Sequence, residues 1–209
     1  MTLQNKQEHI LSRKWTLWFY NPNTAKSNKN WLELLQKVYT IDSIENFWRI
    51  YNNIQTPSTL KLKTNYFLFA DGVDPEWEND ANRNGGKWTV EFDSKNKNCN
   101  VDHYWLYTLL SITGASLPAS EHVLGIQIAI KFNKYRLSIW TDDALDKINN
   151  LKIGNAIRNL WELDNKIKMS YIPHDVNIKL TYTSLDSAHS DKAHSEMAHS
   201  EMAYVLYTA

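Results

Sequence analysis

Alternating apolar and polar positions mark the strands of this chain. Within the segment KWTLWFY, Trp15, Leu17 and Phe19 recur at every second position, which is typical of a half-buried strand. The same alternation returns between Lys87 and Phe92. Two longer apolar segments flank a short turn at Phe132–Lys134, which predicts a hairpin. The predicted strands cover residues 14–20, 63–70, 87–92, 123–131, 135–141, 167–172, 177–183 and 203–207.

Three other segments repeat apolar residues at the spacing of a helix. In the first, they lie at offsets of three, four and seven from Ile44, which puts them on one helical face. Asp42 with Glu45 forms a capping-box pattern at its start, and Asn100 is the expected cap of the second helix. The predicted helices cover residues 42–51, 101–113 and 143–163, the third with an interruption near Gly154.

Short strands separated by three helices are typical of the α+β class. They predict a mostly antiparallel sheet with its helices packed on one face and the other face open to a ligand. The length of 209 residues fits one domain, which we expect over residues 13–209 after a flexible arm at residues 1–12. Near its end, residues 187–202 contain the near-copies AHSDK, AHSEM and AHSEM, which we interpret as a low-complexity, solvated loop.

The charge balance limits the partners that the chain can bind. Its 23 basic residues equal its 23 acidic ones, whereas a protein that follows a long phosphate backbone needs a basic excess. A nucleic acid would therefore be held as a short, chemically unusual piece at a local site. The single cysteine, Cys99, excludes an internal disulfide and suits a reducing compartment. No apolar run approaches the roughly 20 residues of a membrane span, so we expect a monomer in the cytoplasm or nucleus without a membrane partner.

Nine tryptophans are the outlying feature of the composition. Most indole rings fill cores, but two of these occupy positions that suit a core poorly. Trp31 ends a polar loop, and Trp77 lies among acidic residues next to a proline, so both are candidates for binding a flat ligand. The basic hairpin with Lys131, Lys134 and Arg136 is either a solvated turn or an anion-binding surface.

No catalytic arrangement is recognisable in the sequence. It contains no nucleophile–base pattern, no metal-ligand spacing and no phosphate-cradling glycine loop. His103 and His174 are isolated from other candidate groups and are interpreted as surface or structural residues, His174 near the rim of the open face. We therefore expect a binding protein that is not an enzyme and that uses no metal or cofactor.

Seven sequence blocks occur in one order between about His9 and Thr181. They are WTLWFY, NW, IENFWRIYNNIQ, YFLFADGVDPEWE, NRNGGKW, YWLYTLL and LSIWT. Taken together, the blocks resemble the eukaryotic translation initiation factor 4E family of mRNA cap-binding proteins. Because positions 15 and 31 are both tryptophan, the chain is similar to the main class of that family. The resemblance implies a curved eight-stranded antiparallel sheet, with three helices on its convex face and a cap slot on its concave face.

The resemblance also implies which residues form the cap slot. Trp31 and Trp77 match the two tryptophans that sandwich the 7-methylguanine base. Glu78 matches the carboxylate that accepts hydrogen bonds from the N1 and N2 edge of the base, and Trp140 matches a tryptophan near the methyl group. Physical chemistry supports the assignment of the two tryptophans. Methylation gives the base a positive charge, and a cation over an indole face gains roughly 0.5–2 kcal/mol of interaction free energy.

For the phosphates of the cap, the resemblance implies three basic positions in the hairpin. Lys131 and Arg136 keep the charge, whereas Asn133 lacks it. Lys134 would substitute for the missing cation if the turn is remodelled, and Lys87 is a further candidate. The loss of one cation predicts a weaker contact with the triphosphate and a smaller salt dependence.

On the helical side, the resemblance implies a second binding surface. Trp48 with Ile44 in the first helix, and Leu106 in the second, match positions that bind an amphipathic helix of the scaffold protein, initiation factor 4G, or of 4E-binding repressors. His9 to Leu11 match the backbone segment that receives a tyrosine of that peptide.

Two departures from the family pattern leave alternatives open. Ile10 stands where the family has a proline, and Tyr107 where it usually has an acidic residue that pairs with the peptide. The chain is therefore predicted to bind capped mRNA and recruit the scaffold to start translation, or alternatively to repress translation by occupying caps without it. A third interpretation is a carbohydrate-binding module, although neutral sugars would leave Lys131 and Arg136 unused.

Overall fold

The computed structural model describes residues 8–24, 30–178 and 182–183. Within them, eight strands form one sheet, and every neighbouring pair is antiparallel. The strands are β1 Ile10–Tyr20, β2 Leu35–Ser43, β3 Asn65–Ala70, β4 Gly86–Asp93, β5 Val123–Lys131, β6 Lys134–Thr141, β7 Met169–Pro173 and β8 Tyr182–Thr183. They lie in the order β2-β1-β3-β5-β6-β4-β7-β8.

Three helices of eight residues or more accompany the sheet in the described part of the chain, as the sequence predicts. They are α2 Ile44–Tyr51, α4 Val101–Thr113 and α5 Lys147–Leu160, and two single-turn helices are α1 Trp31–Leu34 and α3 Asp80–Arg83. Together with the antiparallel sheet, these helices confirm the expected α+β class.

Side-chain alternation along the strands gives the sheet two different faces, because residues that pair across antiparallel strands share a face. One face, called the helix face, contributes Leu68, Trp88 and Ile128 to the main core, which also contains buried residues of α4 and α5. The other face, called the open face, contains Phe67 and Trp140 in a much smaller cluster. The predicted division into a packed face and a ligand-accessible face follows from this alternation.

Helix α5 runs unbroken past Gly154, so the predicted interruption there is wrong. A Cβ added to Gly154 would lie 2.4 Å from Cζ2 of Trp88. One turn earlier in the helix, the backbone oxygen of Asn150 accepts the indole N–H of Trp88 at 2.8 Å. The glycine therefore allows the helix to approach a buried indole closely and does not end the helix.

The start of α2 differs from the predicted capping box. Ser43 is the cap, and its hydroxyl accepts the backbone N–H of Asn46 at 3.3 Å. Asp42 instead accepts a hydrogen bond from the side chain of Asn46 at 2.7 Å. The carboxylate of Glu45 accepts the backbone N–H of His9 at 3.0 Å. Glu45 therefore ties the start of β1 to the helix and does not close a box with Asp42.

One strand boundary and one additional strand correct the sequence prediction. Ile10 pairs with Ser43 of β2, and Leu11 packs against the main core, so residues 10–12 belong to the sheet and not to the predicted arm. Strand β2 itself is missing from the predicted set. It lies at the edge of the sheet with most of its side chains partly or fully exposed, so it lacks the apolar alternation that reveals a strand.

Several predicted segments lie outside the described residues. Of the strand predicted over 177–183, residues 182–183 form β8. The strand predicted at 203–207, the repeat loop at 187–202 and residues 1–7 of the arm are not among the described residues. No helix in the described ranges has the length and apolar character needed to cross a membrane.

Candidate functional site

A cavity of about 540 Å³ opens on the open face between α1 and the loop that follows β3. Trp31 lines it from α1 and Trp77 lines it from the loop, and Glu78, Lys87 and Trp140 line the same space. The structure thus brings together these five residues, each of which the sequence had singled out. The remaining lining residues are Asn30, Leu32, Phe67, Pro75, Glu76 and Gln127. The volume is typical of a site for a small organic ligand.

Trp31 forms the wall of the cavity on the α1 side. Asn30 caps this one-turn helix by accepting the backbone N–H of Glu33 at 2.9 Å, which fixes the backbone that carries the indole. The indole stacks on Tyr20 with ring centroids 5.8 Å apart and packs at right angles to Phe67 at 6.1 Å. These contacts hold the ring in place while 37% of the residue stays exposed.

Trp77 forms the second wall from the loop after β3. The residue is 57% exposed, and its ring stacks on no other ring among the described residues. The loop itself is anchored by Asn82, which is fully buried. The side-chain amide of Asn82 donates to the backbone oxygens of Asp74 at 2.8 Å and Glu76 at 2.6 Å. In this wall the backbone is held firmly, whereas the indole is not.

Two carboxylates belong to the Trp77 wall. Glu78 is exposed and lines the cavity, where the sequence predicts an acceptor. Glu76 lines it as well, and burial together with the charges of Asp74 and Glu78 raises the pKa of Glu76. Each ionised carboxylate offers two acceptor oxygens. This side of the cavity therefore suits a ligand that presents N–H donors and carries positive charge.

Trp140 lies on the floor of the cavity and is 4% exposed. Its indole packs at a steep angle to Phe69, with ring centroids 5.3 Å apart. Gly125 makes room for this arrangement, since a Cβ there would lie 2.4 Å from Cδ2 of Phe69. Trp140 is therefore a buried residue of the open face and does not belong to the main core.

Lys87 and His174 both contact the indole of Trp140. The Lys87 Nζ lies 5.0 Å from the ring centroid, and the His174 ring lies 4.2 Å from it. Burial and the charges of Arg136 and Lys131 lower the pKa of Lys87 to about 8. Burial and the charge of Lys87 lower the pKa of His174 to about 3, so its imidazole is neutral at physiological pH. His174 is thus a structural residue that packs against Trp140 close to Lys87, so its predicted isolation from other candidate groups is wrong.

The basic hairpin lies on the same sheet but does not line the cavity. Lys134 donates to Glu91 on β4 at 2.7 Å, and the Nε of Arg136 donates to the other Glu91 oxygen at 2.8 Å. Lys131 is exposed and forms no ion pair with a described residue. Asn133 occupies the turn with a left-handed φ of 57°, which asparagine tolerates better than most residues. The turn geometry therefore favours asparagine at position 133.

On the helix side, α2 exposes the residues that the sequence predicts for partner binding. Trp48 is 38% exposed and Ile44, one turn earlier, is 46% exposed. The Trp48 indole packs at right angles to Phe47 and Tyr51, with centroid distances of 5.2 and 5.9 Å. Trp48 is therefore an exposed residue of α2 and not part of the buried core.

The predicted partner-binding residues of α4 differ in exposure. Leu106 is half-buried and packs against the main core, whereas Tyr107 is exposed. The Tyr107 ring stacks on His103 with centroids 4.6 Å apart. His103 also contacts the side chain of Asn100, the helix cap, at 2.8 Å, which agrees with its interpretation as a surface residue.

The segment before β1 is attached to α2. The backbone oxygen of His9 accepts the N–H of Ile44 at 2.9 Å, and the His9 Nδ1 lies 2.7 Å from a Glu45 oxygen. The hydrogen bonds from His9 lower the pKa of Glu45 to about 2. Ile10 remains 69% exposed. The backbone groups of His9 are thus already used within the chain, while the Ile10 side chain is free to contact a partner.

Three residues of the open face escape the sequence prediction. Phe67 and Gln127 are cross-strand partners on β3 and β5 and both line the cavity. Their positions depend on strand pairing, which the sequence does not reveal. Glu91 had a usable signal, because it follows Lys87 by four residues in a predicted strand and so shares its face.

Comparison with known proteins places these features in a family. A profile of the family described as "Eukaryotic initiation factor 4E" matches residues 10–189. The chain is 38% identical over 172 residues to eukaryotic translation initiation factor 4E of Candida albicans, with 81% of each chain covered. It is 34% identical over 173 residues to eukaryotic translation initiation factor 4E of Dictyostelium discoideum, covering 82% of this chain and 67% of that one.

Solved structures give the same result. Ascaris suum eIF4E-3 in complex with an m7G cap has a TM-score of 0.77 and 31% identity, covering 84% of this chain and 96% of that chain. C. elegans eIF4E-3 in complex with the 4E-binding protein Mextli and a cap analog has a TM-score of 0.76 and 29% identity, covering 84% and 100%. The family profile extends over most of the sequence and the fold is shared, so this chain belongs to the eukaryotic initiation factor 4E family.

Proposed function

We propose that this chain binds the 7-methylguanosine cap of mRNA with the methylated base held between Trp31 and Trp77. The observation that carries the proposal is that both partly exposed indoles and the carboxylate of Glu78 line one cavity. Related proteins support it, since Ascaris suum eIF4E-3 was solved with an m7G cap. Because the family is one of initiation factors, the chain is a binding protein and not an enzyme.

The walls of the cavity explain a preference for the methylated base. A base between two indoles gains about 1–3 kcal/mol from stacking, whether or not it is methylated. Only the N7-methylated base adds a positive charge, which the indole faces attract. Glu78 then accepts the N1 and N2 donors of guanine, and its negative charge strengthens those hydrogen bonds. Adenine has no matching pair of donors, so the carboxylate selects guanine.

Titration followed by tryptophan fluorescence tests the proposal. We expect 7-methyl-GTP to quench the emission with an affinity at least about tenfold above that of GTP, or about 1.4 kcal/mol. A neutral oligosaccharide serves as the control for the carbohydrate-binding alternative and should leave the emission unchanged. Equal affinities for 7-methyl-GTP and GTP, or saturable quenching by the oligosaccharide alone, would contradict cap binding.

Glu78→Gln tests the role of the carboxylate within the cavity. The variant keeps the size of the side chain but removes its charge and one acceptor site. We expect it to weaken 7-methyl-GDP binding at least about tenfold, since a hydrogen bond to a charged group is worth roughly 1.5–3 kcal/mol, while inorganic pyrophosphate binding stays nearly unchanged. Equal losses for both ligands would contradict recognition of the base edge by Glu78, because the removal of a negative charge does not by itself weaken pyrophosphate binding.

The exposed helix side supports a second proposed role, recruitment of a scaffold initiation factor through an amphipathic helix. Trp48 and Ile44 offer an apolar surface on α2, and C. elegans eIF4E-3 was solved with the 4E-binding protein Mextli. Such surfaces bind helices that present apolar residues on one side. A cap-binding repressor that recruits no scaffold remains the alternative, because Tyr107 and Ile10 replace the residues that the family pattern would supply.

A pull-down with a helical scaffold-motif peptide separates these two roles. We expect wild-type protein to retain the peptide and Trp48→Ala to lose it, while both keep the same affinity for 7-methyl-GTP. The repressor alternative is supported instead if wild-type protein binds 7-methyl-GTP but retains no peptide. Arg49→Ala, an exposed change on the same helix, is the matched control and should retain the peptide.

A further inference from the structure

Glu91 is an acidic side chain in the middle of the basic surface of the open face. Its two oxygens accept hydrogen bonds from Lys134 and Arg136, the latter through both Nε and a terminal nitrogen. These ion pairs lower the pKa of Glu91, so the carboxylate is charged at neutral pH. Two of the cations predicted to hold phosphates therefore already have an anionic partner within the chain.

The strand register places this ion-pair cluster in line with the cavity. Lys87 pairs with Trp140 across β4 and β6, and Glu91 pairs with Arg136 in the same ladder. Pairs four residues apart along two strands share a face and are separated by about 13 Å. The cluster of Glu91, Lys134 and Arg136 thus lies on the face that the cavity opens to, at a distance that a phosphate chain leaving the cavity can reach.

Hydroxyl groups lie between the cavity and the cluster. Thr89 and Ser138 are the cross-strand pair halfway between Lys87 and Glu91, and their oxygens lie 3.1 Å apart. Hydroxyls can donate to phosphate oxygens without adding charge. Thr89 is half-buried and Ser138 is fully buried, so the hydroxyl offered between Lys87 and the cluster is that of Thr89, and Glu91 is the carboxylate beyond it.

We infer that Glu91 is a specificity-determining residue that competes with the phosphates of a bound cap nucleotide for Lys134 and Arg136. The inference rests on the proposed cap binding and extends it to the phosphate chain. To bind phosphates with these cations, the protein must exchange an internal carboxylate for an external anion. The binding free energy gained with each added phosphate is then the difference between the ion pair formed with phosphate and the ion pair with Glu91 that is lost. Affinity in this chain should depend on the base more than on the number of phosphates.

Glu91→Gln tests this competition, because it removes the anion while preserving the length of the side chain. We measure affinities for 7-methyl-GMP, 7-methyl-GDP and 7-methyl-GTP in the wild type and the variant. Two partly exposed ion pairs predict that the ratio of 7-methyl-GTP to 7-methyl-GMP affinity rises about fivefold in the variant. The variant's affinity for 7-methyl-GTP should also fall more steeply with added KCl, since its gained ion pairs are no longer offset by lost ones.

Asp93→Asn is the matched control for net charge. Asp93 lies two residues further along β4, opposite Lys134, and its carboxylate accepts the backbone N–H of Lys95 at 2.9 Å. It forms no ion pair with either cation among the described residues. Removing this charge should change the phosphate ratio by less than about twofold, as expected for screened surface charges. An equal increase in both variants would mean that overall charge, and not release of Lys134 and Arg136, controls the ratio.

Three results would overturn the inference. An unchanged ratio in Glu91→Gln shows that the ion pairs do not compete with phosphate, and a reduced ratio shows that Glu91 instead positions Arg136 for it. If Glu91→Gln fails to fold by circular dichroism, Glu91→Asp keeps the charge but shortens the side chain. That variant should raise the ratio by a smaller amount, and no rise contradicts the inference. Failure of the proposed function is distinct, since wild-type protein would then show no preference for 7-methyl-GMP over GMP.

Discussion

The two walls of the cavity are built in different ways. Trp31 stacks on Tyr20 and packs against Phe67, so its indole is held by the sheet even without a ligand. Trp77 projects from a loop, is 57% exposed, and has no such ring support in the described structure. What is fixed on that side is the backbone, through the buried amide of Asn82. The Trp31 wall is therefore a preformed surface, whereas in the Trp77 wall only the loop backbone that carries the ring is anchored.

This difference assigns separate roles to the two indoles. A side chain that is already ordered loses little conformational entropy when a base stacks on it, whereas an unsupported ring must be ordered on binding. In the proposed complex, we therefore expect the base to stack first on Trp31 and Trp77 to close over it. We expect the exposed ring of Trp77 to contribute to binding and little to folding. We expect the ring of Trp31 to contribute to both, because it buries part of its area against the sheet.

Replacing the indole of either wall is expected to have the largest effect on ligand affinity. We predict that Trp31→Ala and Trp77→Ala each lower the affinity for 7-methyl-GTP at least about tenfold, or 1.4 kcal/mol. The comparison of the walls predicts different stabilities. Trp31→Ala should lower the melting temperature by about 2–4 °C, since an aromatic contact is worth roughly 1 kcal/mol. Trp77→Ala should leave it unchanged.

Binding is measured by titration calorimetry and stability by thermal unfolding followed by circular dichroism. Trp18→Phe, a conservative change in the cluster beneath the cavity, controls for general disturbance of the open face. If Trp77→Ala destabilises the fold as much as Trp31→Ala, the two walls are equally integrated and the comparison is wrong.

Asn82→Ala tests whether the anchor of the loop matters for the second wall. The change removes two hydrogen bonds to the loop backbone, which together stabilise it by about 1–3 kcal/mol. We expect 7-methyl-GTP to bind about fivefold more weakly, because Trp77 is then displaced for part of the time. Asn84→Ala, an exposed change just after α3, should bind normally. Unaltered binding by Asn82→Ala would show that Trp77 needs no anchored support.

Tyr20→Leu tests the support of the first wall. Leucine keeps an apolar contact under Trp31 but removes the stacked ring, which is worth about 0.5–1.5 kcal/mol. We therefore expect about a threefold loss of affinity for 7-methyl-GTP and a small loss of thermal stability. Titration calorimetry measures the affinity, and thermal unfolding followed by circular dichroism measures the stability. If Tyr20→Leu loses more affinity than Asn82→Ala, the support of Trp31 matters more for binding than the anchor of the Trp77 loop, contrary to the expected order.

The sequence allowed prediction of those features that local patterns encode. Alternation revealed β1 and β4, and helical spacing revealed α4, because buried residues repeat with the period of the element. Trp31 and Trp77 could be recognised because each occupies a polar context that a core would not provide. Both are indeed partly exposed and line one cavity.

Features that depend on contacts between distant residues could not be predicted. Gly154 suggests a helix break, yet it faces the indole of Trp88 from another element. The pairing of Glu91 with Arg136 requires knowledge that β4 neighbours β6, although the two strands are separated by a helix and another strand in sequence. Strand β2 escaped because an edge strand with exposed side chains carries no burial pattern. In each case the deciding contact is tertiary.

The smallest expected effect on ligand affinity comes from the ionisation of Lys87 on the cavity floor. Its pKa is lowered to about 8 by burial and by the charges of Arg136 and Lys131, so the ammonium is largely protonated at pH 7 and largely neutral at pH 9. Rising pH therefore removes a cation from the floor, and the affinity of the wild type for 7-methyl-GTP should fall. Lys87→Arg keeps its charge throughout this range.

Between pH 7 and pH 9 we thus expect the wild-type affinity, divided by that of Lys87→Arg, to decrease about twofold, as for one partly screened charge. Titration of the methylated base affects both proteins equally and cancels in this ratio. The walls affect both proteins equally, because neither indole ionises and both proteins share the carboxylates of Glu76 and Glu78. A ratio that stays constant with pH would mean that Lys87 lies on the floor without contributing its charge to the ligand, and that the two walls alone control binding.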